Sequence, residues 1–227
     1  MIRLLFVLLF TSILACSAFV AVKVPFLMAG PPRHLPTAET LYHWKGLVFG
    51  SHVITAQLGA VWLTGALLGP RRGGLAVAFY LALGLGGLPI FTNGGGPTYV
   101  GQPTFGYLAA FFPAVIIVGR TADQPRFGRT WLGMALALAT IQVTGLVYEL
   151  VVGGHWLEPF AWVEYGSTQV VQFLPGQLAL LTTLAFLVAL GRKVGAWWDD
   201  RMAERQGEAL APLLPYDAYG PEPETQV

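Results

Sequence analysis

The sequence predicts an all-α integral membrane protein of six transmembrane helices, with both termini in the cytoplasm. Three observations carry this prediction. Of the 227 residues, 55% are hydrophobic and 11% are charged, where soluble domains carry about 25% charged residues. The charges fall in clusters, and the gaps between clusters are long enough to cross a bilayer at roughly 20 residues per helix. Finally, the Lys and Arg residues segregate to one side of the topology that those gaps imply.

The first span is expected over 2–24, since Ile2 to Val22 carries no charge except Arg3. The opening "MIRLLFVLLFTSILACS" also has the basic start and apolar core of a lipoprotein-type leader ending before Cys16. An uncleaved helix is preferred, because apolar sequence continues through "SAFVAVKVPF". The second span is expected over 47–69, inside the uncharged run from Gly46 to Pro70. The run from Gly73 to Gly119 is uncharged for 47 residues, too long for one helix. It reads as two helices, 74–92 and 105–119, separated by "FTNGGGPTYVGQPTFGYL", where Gly and Pro weaken helical backbone. Helices 130–151 and 168–190 follow from the uncharged runs Trp131–Tyr148 and Tyr165–Gly191.

This arrangement places ten Lys and Arg residues inside and only Lys23, Arg33 and Lys45 outside, as cytoplasmic loops require. The domain plan is a membrane domain over 1–191 and a polar cytoplasmic tail over 192–227, expected to be disordered. Trp197 and Trp198 lie just past the last span, where an interfacial aromatic belt is expected.

Several functions are disfavoured. The net charge of +1 gives nucleic-acid binding no electrostatic support. One cysteine and four scattered histidines offer no metal-ligand spacing, and no cofactor motif is present. No phosphate-binding loop, nucleophile elbow or zinc-protease motif occurs, so the chain is not expected to be an enzyme.

The polar groups inside the spans converge on one end. Glu149 is a formal charge near the outer end of helix 5, and Gln142, Gly145 and Glu149 share one helix face. Helix 6 carries Pro175, Gly176 and Gln177, read as a local helix break. The 91–108 connection and Tyr107 lie at the same outer depth. A few placed polar groups in an apolar cavity suit a small, uncharged or weakly anionic ligand.

These residues resemble the BioY family, substrate-binding S subunits of energy-coupling-factor (ECF) vitamin importers, from about His52 to Leu190. "LTGALLGPRRGGLAVAFYLALGLGGLPIF" resembles the family's helix 2–3 region. "GGGPTYVGQPTFGYLAAFFPA" resembles its Gly-rich segment followed by Pro-Thr-x-Gly-Tyr-Leu, and "FLPGQLALL" resembles its Leu-Pro-Gly motif. The wording looks closest to the cyanobacterial branch. Many members carry an Asp after Leu-Pro-Gly and a Lys three residues later; here these are Gln177 and Leu180. A Gln amide donates and accepts, so Gln177 can still pair with a ureido ring, and Glu149 is the candidate to supply the missing carboxylate.

The resemblance implies an ECF S-component-like bundle in the bacterial inner membrane. It would bind biotin from outside and dock on a transmembrane T subunit driven by two ATPase subunits. A different small vitamin, or action as a stand-alone carrier, remains the alternative. The expected ligand contacts are Asn93, Gly94, Gly95, Gly96, Tyr99, Gln102, Thr104, Tyr107, Glu149 and Gln177, with the three glycines allowing a mobile gate. Ala15, Ala18 and Ala21, recurring every third residue, are the expected docking stripe. Beyond these partners only membrane lipids are expected.

Overall fold

The computed structural model describes residues 2–29, 42–44, 47–122, 126–154 and 174–210. The chain divides into a compact body, Met1–Ala189, and a second unit, Leu190–Val227. The elements in order are α1 (Ile2–Ser17), β1 (Ala21–Ala29), β2 (Tyr42–Trp44), β3 (Leu47–Thr55), α2 (Gln57–Leu85), a 3-10 turn (Pro97–Gly101), α3 (Phe105–Ala109), α4 (Phe111–Thr121), α5 (Phe127–Val152) and α6 (Leu174–Leu210).

The body is mainly helical, but the all-α expectation is corrected by a small sheet, and two helix boundaries move with it. Helix 1 ends at Ser17 rather than 24, and helix 2 begins at Gln57 rather than 47. Between them, Ala21–Ala29, Tyr42–Trp44 and Leu47–Thr55 form a three-stranded antiparallel sheet of order β1-β3-β2. Its register pairs Ala21 with Thr55 and Ala29 with Leu47, and Tyr42 with Phe49. The physical reason is composition. β1 carries Val22, Val24 and Phe26 and β3 carries Val48, Phe49, Val53, Ile54 and Thr55, and β-branched and aromatic residues favour a pleated backbone. A lack of charge does not distinguish apolar strand from apolar helix. Pro25 is tolerated because β1 is an edge strand.

α2 is two helices, as the 47–69 and 74–92 expectation required, although the second stops at Leu85. The break is Gly69, with φ 75° and ψ 178°, followed by Pro70. Gln57 Nε2 donates to the Tyr80 hydroxyl at 2.6 Å. In an unbroken helix those residues would stand about 34 Å apart at 1.5 Å per residue, so α2 folds back as a hairpin with the exposed Arg71 and Arg72 at its bend. The bend packs on α4: a Cβ on Gly119 would run into the backbone of Gly69 and Pro70, and one on Gly65 would lie 2.7 Å from the Val115 carbonyl. α1 joins this hairpin through Thr11, whose hydroxyl donates to Val7 O at 2.9 Å and is 3.2 Å from Ala76 O.

The core is built from Trp62, Val77, Tyr80, Phe91, Val115, Met134 and Leu181. Around it, large apolar side chains point outward on every long helix, among them Leu5, Leu67, Phe79, Phe112, Leu136, Val143 and Phe186. Soluble monomers do not present such a surface. α5 and α6 are each long and apolar enough to cross a membrane; α1 and the α3–α4 stretch are shorter apolar helices.

Pro175 and Gly176 lie within α6; the expected residues 168–173 lie outside the described residues. Residues 192–210, expected to open a disordered tail, are helical, and 211–227 lie outside the described residues. In the second unit Trp197 and Trp198 are exposed, with Arg201 stacked 4.9 Å over the Trp197 ring.

Candidate functional site

A cavity of about 340 Å³ lies where the start of α2, the 91–104 connection, α3, α5 and the start of α6 meet. Its polar lining is Gln57, Thr92, Asn93, Tyr99, Thr104, Tyr107, Gln142, Glu149 and Gln177, over an apolar base of Leu58, Leu108, Phe111 and Ile141. Gln57 and Gln142 are buried, whereas Thr92, Asn93 and Thr104 are exposed. The amides therefore form the floor and the loop residues the rim.

The connection is held by its backbone and its rings. Phe91 and Gly94 exchange backbone hydrogen bonds of 2.9 and 3.0 Å, which closes a tight turn and leaves Thr92 and Asn93 at its tip. The fully buried Phe91 ring is seated in the space left by Gly84. It contacts Tyr80 at 5.3 Å and Tyr99 at 4.8 Å between ring centroids. The ring series continues through Phe105 to Tyr148 on α5, and the Tyr148 hydroxyl donates to Val100 O. Edge-on and tilted ring pairs of this kind are favourable beyond their buried area.

The glycines of this loop serve the backbone. Gly94 and Gly96 have φ of 112° and 102°, where a side chain is strained. Gly95 is pressed against the Leu88 carbonyl, and a Cβ there would also lie 2.9 Å from Gly84 O. None of the three lines the cavity, and neither does Gln102. Of the expected ligand contacts, Gly94, Gly95, Gly96 and Gln102 thus stand outside the cavity lining, and the glycines shape the backbone behind it. The cavity does bring together Asn93, Tyr99, Thr104, Tyr107, Glu149 and Gln177.

α3 and α5 interlock by exchanging glycines and rings. The Tyr107 ring lies over Gly145 and the Tyr148 side chain over Gly106, each where a Cβ would collide. This close approach places the Tyr107 hydroxyl 3.0 Å from Glu149 Oε2, to which it donates. Two turns away on the same face of α5, Gln142 Nε2 donates to Gln177 Oε1 at 2.9 Å. Glu149 thus pairs with Tyr107 and does not stand at the position of Gln177, because seven residues of helix separate it from Gln142 by about 10 Å.

Gln57 and Gln142 were missed as site residues. The spacing of Gln142 to Glu149 was a usable signal, since it shows the shared face. Gln57 carried a weaker one, a polar side chain within an uncharged apolar run. The docking stripe is not a stripe: Ala15 is half-buried against the core, Ala18 is buried, and Ala21 belongs to β1. Three-residue periodicity aligns side chains only while the helix continues, and α1 has ended by then.

A mainly helical membrane body holding a small-molecule-sized cavity, with neutral amides at its floor and a single acid among its described lining, defines the class of protein. A family model described as the BioY family matches residues 1–196, and the chain belongs to that family. A probable biotin transporter BioY of Lysinibacillus sphaericus is 40% identical over 106 residues, covering 45% of this chain and 54% of that one. The chain thus spans about half the length of that curated relative. The biotin transporter BioY of Thermotoga maritima is 33% identical over 134 residues, 53% of this chain and 77% of that one. The biotin transporter BioY of Rhodobacter capsulatus is 33% identical over 144 residues, 58% and 74% of the two chains. Among solved structures, the S-component for biotin from an ECF-type ABC transporter superposes with a TM-score of 0.60 at 21% identity, covering 84% of this chain and 90% of that one. At that identity the likeness establishes the fold.

Proposed function

We propose that the chain is the substrate-binding membrane subunit of a biotin importer, taking up biotin from the outer side and releasing it inside when coupled to an ECF T subunit and two ATPase subunits. The observation that carries this reading is the amide pair at the cavity floor. With Gln142 Nε2 bonded to Gln177 Oε1, the Gln142 carbonyl and the Gln177 amino group remain as acceptor and donor for a ligand. A cyclic urea presents the complement, N–H beside C=O, and its fused apolar ring suits Leu58, Leu108, Phe111 and Ile141. Family membership and the biotin-transporting relatives support the same ligand. The positive-inside distribution supports a multi-pass bacterial inner-membrane protein with both termini cytoplasmic and the cavity facing out. The neutral pair would also serve another small vitamin bearing a cyclic amide, which is the second reading.

Calorimetry of biotin binding to the purified protein, with Gln177→Ala alongside, tests the proposal. One-to-one binding weakened about 10- to 100-fold by the substitution, the scale of a lost buried hydrogen bond with its partner left unpaired, supports biotin and the floor site. A folded wild type that does not bind biotin sinks the biotin reading and moves the ligand to another vitamin.

A further inference from the structure

The cavity floor carries a third amide whose polarity is fixed from behind. Gln57 opens α2, is buried, and lines the cavity together with Gln142 and Gln177. Its Nε2 donates to the Tyr80 hydroxyl at 2.6 Å. That hydroxyl in turn donates to the Ile90 carbonyl at 3.5 Å. A carbonyl can only accept, so the hydroxyl commits its one proton to Ile90 and meets Gln57 as an acceptor. Which end of an amide faces a given neighbour follows from such a network. Nε2 is thereby directed to Tyr80, and Oε1 is the acceptor that Gln57 brings to the cavity.

Tyr80 is itself held in place. It is fully buried, and its ring meets Phe91 edge-on at 5.3 Å between centroids. Ile90 is fixed through its N–H, which donates to Leu88 O at 2.8 Å. The orientation of the Gln57 amide is therefore set by the same connection that walls the cavity.

A cyclic urea has two N–H donors and one C=O. The Gln142 carbonyl accepts one N–H, and the Gln177 amino group donates to the C=O. The second N–H then needs an acceptor of its own, because a buried donor left unpaired costs affinity. We propose that Gln57 Oε1 accepts the second ring N–H of the ligand, and that Tyr80 is the positioning residue that turns this carbonyl toward the cavity. This inference rests on the biotin reading above and names the recognition of the ligand's ring more closely.

The test is calorimetry of biotin binding to the full chain in detergent, with Gln57→Leu, Tyr80→Phe and the double variant. Gln57→Leu weakens binding about 10- to 100-fold, the scale of a buried donor left unpaired. Tyr80→Phe keeps the ring, frees the amide to turn over, and weakens binding about three- to tenfold. In the Gln57→Leu background the same Tyr80→Phe change has less than about twofold further effect, because Tyr80 acts through Gln57; two independent structural losses would multiply instead. Gln57→Met takes the place of Gln57→Leu if the latter does not fold. A wild type that binds biotin no more tightly than Gln57→Leu overturns the inference and leaves the biotin reading standing. A Tyr80→Phe loss of equal size in both backgrounds overturns the positioning role. A folded wild type that binds no biotin overturns the biotin reading and this inference with it.

Discussion

At the residue scale, two glycines decide where the acid of the cavity points. Gly145 and Gly106 each leave room for an aromatic ring from the facing helix, and that exchange sets the Tyr107 hydroxyl on Glu149. Gly145→Ala drives a methyl group into the Tyr107 ring. Overpacking of this kind costs about 1–3 kcal/mol, so a lower melting temperature in detergent is expected, together with weaker ligand binding as the ring is displaced. A variant with unchanged melting and binding would show that the ring is not held there. Tyr107→Phe keeps the ring and removes one hydrogen bond to a carboxyl group, so its stability loss should be about 1–3 kcal/mol. The Gln142–Glu149 face was readable from spacing alone. The Tyr107–Glu149 pair was not, because its partners are 42 residues apart and no local rule links them.

At the element scale, the 86–104 connection is a packed wall rather than a loose gate. Its tip is closed by the Phe91–Gly94 pair, its base is tied by Gly96 N to Gly84 O at 2.7 Å, and Phe91 is fully buried. Gly95→Val would push side-chain atoms against the Leu88 carbonyl. Ligand uptake should fall while membrane insertion persists, as measured by transport in cells alongside the amount of protein in membranes. Normal uptake would refute a tightly packed wall. Phe91→Ala should be more damaging, at about 3–5 kcal/mol for a buried aromatic, and visible as a large drop in thermal stability. Gly, Pro and polar residues in an apolar run marked where this element lies. They did not reveal that Gly95 abuts other backbone while Thr92, Asn93, Tyr99 and Thr104 line the cavity.

At the scale of the whole molecule, the outward-facing Leu, Val and Phe side chains and the two long apolar helices describe a membrane body. The proposed orientation has a direct test. In a Cys16→Ser background, a single cysteine introduced at Thr98 should react with a membrane-impermeant maleimide applied to intact cells. One introduced at Arg72, at the bend of α2, should react only after the cells are opened. The reverse pattern would invert the topology and turn the cavity inward.

The sequence by itself determined the membrane class, the helical break near 69–74, the existence of a second break ending at 105, and the shared face of Gln142 and Glu149. These follow from composition and periodicity, which are local properties of the chain. Only the tertiary structure decided that 21–29 and 47–55 pair as strands, because a short, largely apolar run satisfies its backbone equally by coiling or by pairing with a distant partner. Tertiary structure alone also decided that Gln142 bonds Gln177, that Tyr107 bonds Glu149, and that Ala18 turns inward. Each of these depends on which distant segments approach, and that is set by where glycines let helices close upon one another.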